Sequence, residues 1–213
     1  MSNPPAARRG RNWPGALLRL AAHLACLLPF ALWTRAAWQA ELGADPIAAL
    51  THASGDWALR FLLASLAISP LRRLSQWRWP LQYRRMLGLY GFFYACLHLS
   101  IYLVLDLGGY WAQILEDILK RPFITVGFLA WLLLIPLALT STRAAMRWLG
   151  RRWGQLHRLA YLISALGILH FLWLVKADLT EPLIYLAIYT ALMLLRIRSR
   201  PPKAVPVKVN RPG

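Results

Sequence analysis

The sequence is short of charge, of cysteine and of nucleotide-binding motifs, and each shortage removes a class of protein. Only 15% of its 213 residues are charged, whereas a soluble domain carries about a quarter. Two cysteines, Cys26 and Cys96, are too few for a disulfide framework. The sequence contains no GxGxxG, Walker or CxxC motif, so neither a dinucleotide-binding domain nor a P-loop domain is indicated.

What the sequence has is apolar residues, 58% of the total, arranged in long blocks. A helix needs about 20 apolar residues to cross roughly 30 Å of hydrocarbon, and it satisfies its own backbone hydrogen bonds there. The blocks therefore predict an all-α integral membrane protein, a bundle of six transmembrane helices. The predicted spans are 15–38, 57–74, 84–105, 122–140, 153–175 and 180–197.

Charge is distributed unevenly between the two sides of this predicted bundle. The formal net charge of +17 would suggest a nucleic-acid partner in a soluble protein. Here, 20 of the 25 basic residues fall in the termini and connections of one side, and all eight acidic residues fall on the other. The positive-inside rule places the basic side, with both termini, in the cytoplasm. We therefore expect a lipid bilayer and no nucleic acid as partner.

The chain is expected to have three regions. Residues 1–14 form a basic cytoplasmic segment, residues 15–197 the six-helix domain, and residues 198–213 a Pro-rich, disordered cytoplasmic tail. Between the third and fourth spans, residues 106–121 show helical spacing of apolar residues and predict an interfacial helix on the outer surface.

Histidines are concentrated in the predicted spans. His23, His98, His157 and His170 fall inside spans or at their ends, whereas His52 falls in a predicted outer loop and is given no role. Ionisable residues within lipid are costly and usually functional, and imidazole is the commonest metal ligand. The alternative for each one is a structural histidine held by a hydrogen bond.

Depth in the membrane favours His98 and His170 as partners. Spans 3 and 5 run in the same direction, and the two residues lie about 21 and 27 Å from the cytoplasmic ends at about 1.5 Å per residue. One imidazole from each of two facing helices is what bis-histidine ligation of haem iron requires. Gly91 lies on the helix face of His98, and Gly167 lies on that of His170. There they would admit a flat macrocycle or allow close helix packing.

His157 does not fit the same face of span 5. It precedes His170 by 13 residues, which separates the two by about 20 Å along the axis and turns them toward different sides. Either span 5 is distorted here or His157 faces another group. His23 is the only other histidine at matching depth, so a His23–His157 haem is one hypothesis. A position beside a flavin or a quinone is the other.

Basic residues mark both ends of the proposed haem path. At the outer side, Lys120 and Arg121 are candidates to pair with a haem propionate. At the cytoplasmic ends of spans 3 and 5, a cluster of arginines would bind haem propionates, a flavin phosphate or only lipid headgroups. These arginines are Arg84, Arg85, Arg151 and Arg152.

Several segments together resemble one known family. They are "HLACLLPF" at 23–30, "LGADP" at 42–46, "RRMLGLYGFFYACLHL" at 84–99, "KRPFITVG" at 120–127, "LALTST" at 137–142, "LGRRWGQLHRLAYL" at 149–162 and "LHFLWLVK" at 169–176. They are similar to the haem-binding membrane subunits of bacterial periplasmic methionine sulfoxide reductases, within the ferric-reductase-like transmembrane family. The resemblance covers most of the chain, omitting about the first 15 residues and the tail.

The resemblance implies b-type haem bound by His98, His157 and His170, and an association with FMN. It also implies an electron-transfer subunit of the bacterial inner membrane rather than a catalytic subunit. The implied acceptor is a periplasmic molybdopterin protein that reduces methionine sulfoxide and so repairs oxidised envelope proteins. Since no nucleotide-binding domain follows span 6, we expect electrons from the quinol pool or from a separate cytoplasmic flavin reductase.

The predicted function is therefore that of a transmembrane cytochrome b with one or two haems. One alternative is another cytochrome b, such as a ferric reductase or a respiratory quinol subunit. The other is a non-redox transporter that uses histidines as a proton relay. Such a transporter would be colourless and would show weak internal repeats, and the sequence shows no such repeat.

Overall fold

The computed structural model describes residues 13–77 and 79–198, and the regular structure of these residues is helical. The predicted basic segment up to residue 12 and the predicted tail from residue 199 lie outside the described residues. The chain divides into two compact units, Met1–Leu50 and Thr51–Gly213, so the boundary between them falls within the second helix.

The first unit contains α1 (Trp13–Trp38) and the first turn of α2 (Pro46–Ser75). Asp45 caps α2, because its Oδ1 accepts a hydrogen bond of 2.9 Å from the backbone N–H of Ala48. Pro46 occupies the first helical position, where a missing N–H is tolerated. As a result α2 begins well before the predicted span at 57, and His52 lies in a helix rather than in the predicted loop.

The second unit contains the rest of α2 and the helices that follow it among the described residues. A π-helical segment continues α3, and a turn at His157 and Arg158 separates α7 from α8. The elements are α3 (Leu81–Ser100), the π-helical segment (Ile101–Asp106), α4 (Trp111–Lys120), α5 (Pro122–Leu139), α6 (Arg143–Leu149), α7 (Arg151–Leu156), α8 (Leu159–Leu174) and α9 (Thr180–Arg198).

Within the described ranges, five stretches of helix are long and apolar enough to cross a membrane. They correspond to five of the six predicted spans, and they indicate a multi-pass membrane protein. The predicted span 57–74 lies in α2, which Asp56 and Arg60 make less apolar, so the count of six stays a prediction. The five are Gly15–Trp38, Leu81–Asp106, Pro122–Leu139, Arg151–Leu174 and Thr180–Ile197.

Asp56 and Arg60 of α2 have partners within the protein. The Nε–H of Arg60 donates to the hydroxyl of Tyr185 in α9 at 2.7 Å, and its guanidinium lies 3.5 Å from the carboxylate of Asp56. The Arg60 guanidinium also lies 5.1 Å from the ring centroid of Trp57. Such partners reduce the cost of placing charge at membrane depth, and they tie α2 to α9.

Two apolar clusters pack the second unit. One joins α2, α5 and α8 around Leu62, Leu134 and Ile163. The other joins α2, α8 and α9 around Leu63 and Ile168. Because α2 and α8 belong to both clusters, their packing positions the side chains and carbonyls of the site described below.

The short helix α4 occupies the segment where an interfacial helix is predicted. Its Asp117 is only 6% exposed and accepts a hydrogen bond of 2.7 Å from the Tyr102 hydroxyl. The second oxygen of Asp117 lies 3.1 Å from Arg121 Nε, so the carboxylate fixes α4 to the π-helical segment. The opposite face carries three exposed apolar side chains, Trp111, Leu115 and Leu119.

Candidate functional site

The structure brings the rings of His98 and His170 together. His98 projects from α3 and His170 from α8, and the centroids of the two imidazoles are 6.1 Å apart with an angle of 80° between their planes. This is the juxtaposition that depth along spans 3 and 5 predicts.

A backbone carbonyl holds each of these imidazoles. His98 Nδ1 lies 2.9 Å from the carbonyl oxygen of Thr51, and His170 Nδ1 lies 2.7 Å from that of Phe123. Because a carbonyl oxygen only accepts, each neutral ring carries its proton on Nδ1 and keeps a lone pair on Nε2. An imidazole whose other nitrogen donates to a carbonyl is typical of a metal ligand.

The ring separation fits two ligands on opposite sides of one iron ion. First-row metals bind imidazole nitrogen at about 2.0–2.1 Å, which leaves the centroids of two such rings about 6 Å apart. In the part of the chain that the structure describes, no group of three or more His, Cys, Asp or Glu side chains converges. The site therefore offers two imidazoles that could hold haem iron rather than a complete metal cage.

The two histidine sites share the same spacing along the chain. The carbonyl residue precedes its histidine by 47 positions in both. A shift of 72 residues, from His98 to His170, also carries Gly55 onto Gly127. Few other residue types match across this shift.

Gly91 and Gly167 face neighbouring helices. A Cβ added at Gly91 would lie 2.9 Å from Leu62 Cδ2, and one at Gly167 would lie 3.5 Å from Leu59 Cδ1. Of the two roles predicted for these glycines, the structure therefore favours close helix packing over contact with a macrocycle.

His157 lies at the turn between α7 and α8, so span 5 is distorted there. Its Nε2 lies 3.0 Å from Thr140 Oγ1, and the Trp153 ring stacks on the imidazole with centroids 4.1 Å apart. Thr140 donates its one hydroxyl proton to the Pro136 carbonyl at 2.6 Å. The histidine is therefore the donor of the Nε2 bond, and its Nδ1 carries the lone pair.

This arrangement distinguishes His157 from His98 and His170. At His98 and His170 the nitrogen that carries the proton is Nδ1, whereas at His157 it is Nε2. His23 lies on α1 in the first unit with an exposed side chain. A haem between His23 and His157 therefore stays a prediction.

Replacing Thr140 tests the hydrogen-bonded role of His157. Thr140→Val removes the acceptor, and an unpaired donor in a partly buried site costs about 1–3 kcal/mol. We expect thermal unfolding in detergent to show a lower Tm for Thr140→Val and an almost unchanged Tm for Thr140→Ser, which keeps the hydroxyl. More haem per protein in Thr140→Val, at unchanged Tm, would instead identify the released Nε2 as a ligand.

The predicted cytoplasmic arginines occupy different environments. Arg84 is half-buried and near enough to His157 for its charge to act on the imidazole. Arg85 is exposed. Arg151 and Arg152 are also exposed, and with Trp148 and Leu149 they line an open cavity of about 410 Å³.

Lys120 and Arg121, the two cations predicted on the outer side, already have carboxylate partners on α4. Lys120 Nζ lies 2.5 Å from Glu116 Oε1, and Arg121 Nε lies 3.1 Å from Asp117 Oδ1. A haem propionate would have to compete with these carboxylates for either cation.

Several groups at the site were not among the predicted residues. The carbonyls of Thr51 and Phe123 have no side-chain signature, and Thr140 is distant from His157 in the sequence. Trp153 precedes His157 by four residues, a spacing that places both on one helix face, so this stacking partner was open to prediction.

A family comparison defines the class of protein. The model of the family "Ferric reductase like transmembrane component" matches residues 54–168, more than half of the chain. The match extends from α2 into α8 and includes His98 and His157. The apolar helices, the two neighbouring histidines and this match define the class. The chain is a ferric-reductase-like transmembrane protein.

Curated relatives narrow this class, and the two that follow are both named "Protein-methionine-sulfoxide reductase heme-binding subunit MsrQ". The relative from Xanthomonas euvesicatoria is 52% identical, covering 86% of this chain and 93% of that protein. The relative from Herminiimonas arsenicoxydans is 50% identical, covering 85% of this chain and 84% of that protein. The chain belongs to the MsrQ family, which confirms the resemblance seen in the sequence. No solved structure matches it.

Proposed function

We propose that this protein is a transmembrane electron-transfer cytochrome b that serves a periplasmic methionine sulfoxide reductase. The observation that carries the proposal is the pair of imidazoles from His98 and His170, 6.1 Å apart, each with its Nδ1 at a backbone carbonyl. The name of the MsrQ relatives, heme-binding subunit of a protein-methionine-sulfoxide reductase, supports the same assignment.

In this proposal His98 and His170 bind the iron of a b-type haem. A bound haem supplies a one-electron redox centre within the hydrocarbon layer, which charge does not otherwise cross. The carbonyls of Thr51 and Phe123 orient the two rings and make them stronger donors to the metal. The apolar clusters pack α2, α5 and α8, the helices that carry Thr51, Phe123 and His170.

The proposed route begins at the cytoplasmic face of the bacterial inner membrane. Quinol or a cytoplasmic flavin reductase supplies electrons there, and a periplasmic molybdopterin subunit receives them to reduce methionine sulfoxide in oxidised proteins. His157, Arg84, Arg85 and Arg152 are the candidates at the inner side for FMN, a quinone or the propionates of a second haem. With α2 counted as the sixth span, both termini lie in the cytoplasm.

The test uses the purified full chain from haem-replete cells. We expect a b-type spectrum on reduction by dithionite, with one or two haems per chain by pyridine haemochrome. The reduced protein should be reoxidised when the periplasmic reductase and methionine sulfoxide are added together, and not by either one alone. A colourless protein would overturn the proposal and leave the transporter as the remaining class.

A ferric reductase is the second candidate, because the matching family model carries that name. It predicts rapid oxidation of the reduced protein by ferric chelates and none by the periplasmic reductase with methionine sulfoxide. The same purified protein therefore distinguishes the two functions.

A further inference from the structure

Two glycines face the histidine rings, and the proposed function gives them no role. α2 approaches His98 at Gly55, and α5 approaches His170 at Gly127. At each histidine site the glycine follows the carbonyl residue by four positions, Gly55 after Thr51 and Gly127 after Phe123. The carbonyl and the glycine therefore lie on one helix face, one turn apart, and both face the same imidazole.

The clearance at these glycines is too small for another side chain. A Cβ on Gly127 would lie 2.7 Å from His170 Nδ1 and 3.0 Å from its Cε1. A Cβ on Gly55 would lie 3.1 Å from both Nδ1 and Cε1 of His98. Alanine at 127 therefore requires the imidazole or the helix to move, while alanine at 55 requires a shift of a few tenths of an ångström.

The glycine and the carbonyl act on the same atom of the ring. Nδ1 donates to the carbonyl, and Nδ1 is also among the atoms that an added Cβ would meet. A Cβ would displace Nδ1 from its acceptor and rotate the imidazole about its Cβ–Cγ bond. Together the carbonyl and the glycine restrict the rotation of each ring, and the ring planes of His98 and His170 lie at 80° to one another.

We infer that Gly55 and Gly127 are positioning residues that hold the axial imidazoles nearly perpendicular on the iron. The inference rests on the proposed function. In low-spin ferric haem, perpendicular ligand planes leave two iron d orbitals close in energy, whereas parallel planes separate them. The wild-type protein should therefore give an electron paramagnetic resonance signal with large g anisotropy rather than a rhombic one.

The experiment measures ring orientation and redox potential in full-length, haem-loaded variants. In Gly127→Ala we expect the low-spin signal to become more rhombic and the midpoint potential to rise. The potential rises because a weaker Nδ1–H···O=C bond makes His170 a poorer electron donor to ferric iron. Gly55→Ala should change both quantities in the same direction but by less, because its clearance is larger.

Gly91→Ala is the matched steric control. Its Cβ would meet Leu62 at 2.9 Å but no imidazole, so it should lower the Tm and leave the resonance signal unchanged. Full haem content with unchanged signal and potential in Gly127→Ala would overturn the inference. If the Gly127→Ala protein does not accumulate, the milder Gly55→Ala replaces it. Full haem content with unchanged signal and potential in Gly55→Ala would then overturn the inference. A wild-type protein without haem would overturn the proposed function as well, so the two failures are distinguishable.

Discussion

His170→Ala and His98→Ala are each expected to remove the b-type haem bound at this pair, and all b-type haem if the chain binds one haem. Each substitution removes one of two axial ligands, and no group of three or more metal-binding side chains is present among the described residues to replace it. Loss of a partner that only orients a ligand costs roughly 10–100-fold in metal affinity, so loss of the ligand itself should cost more. Pyridine haemochrome per mole of purified protein measures the result.

Two controls separate loss of a ligand from loss of the fold. His52 lies on α2, next to Thr51 and outside the pair, so His52→Ala should retain haem. Exogenous imidazole can occupy the space left in His170→Gly, and we expect it to restore a low-spin spectrum. Wild-type haem content in both His98→Ala and His170→Ala would exclude this pair as the haem site.

The pairing of His98 with His170 could be predicted because depth along a helix follows from counting residues. The groups behind the two rings could not be predicted in the same way. A backbone carbonyl has no sequence signature, and a glycine that clears an imidazole looks like one that packs helices. Gly91 shares a helix face with His98, which left contact with a macrocycle and helix packing both open, and it faces Leu62, while Gly127 faces a histidine from a different helix.

Long apolar blocks in the sequence predict most of the helices. The helix α2 is less well predicted by its apolar content. Its charged residues lower its apolar character, but burial against α5, α8 and α9 stabilises it. The turn at His157 could be predicted in part from the sequence, because an unbroken helix would point His157 and His170 to different sides. Which group His157 faces depends on tertiary packing, which brings Thr140 to it.

Asp117→Ala is expected to destabilise the contact between α4 and the π-helical segment. The buried carboxylate accepts a hydrogen bond from Tyr102 and pairs with Arg121, so its removal leaves both donors without this acceptor. Hydrogen bonds to charged groups contribute about 1.5–3 kcal/mol, and each 1 kcal/mol shifts the Tm by about 2–4 °C in a chain of this size. Thermal unfolding in detergent should therefore show a Tm lower by several degrees.

The neighbouring acid, Glu116, provides the control. Its pair with Lys120 is exposed, with side chains 56% and 72% accessible, and such pairs contribute only about 0–1 kcal/mol. Glu116→Ala should therefore melt close to wild type. A double-mutant cycle of Tyr102→Phe with Asp117→Ala isolates their hydrogen bond, and we expect clearly non-additive losses because either substitution removes it. Equal Tm values for Asp117→Ala and Glu116→Ala would show that the buried carboxylate does not hold α4 in place.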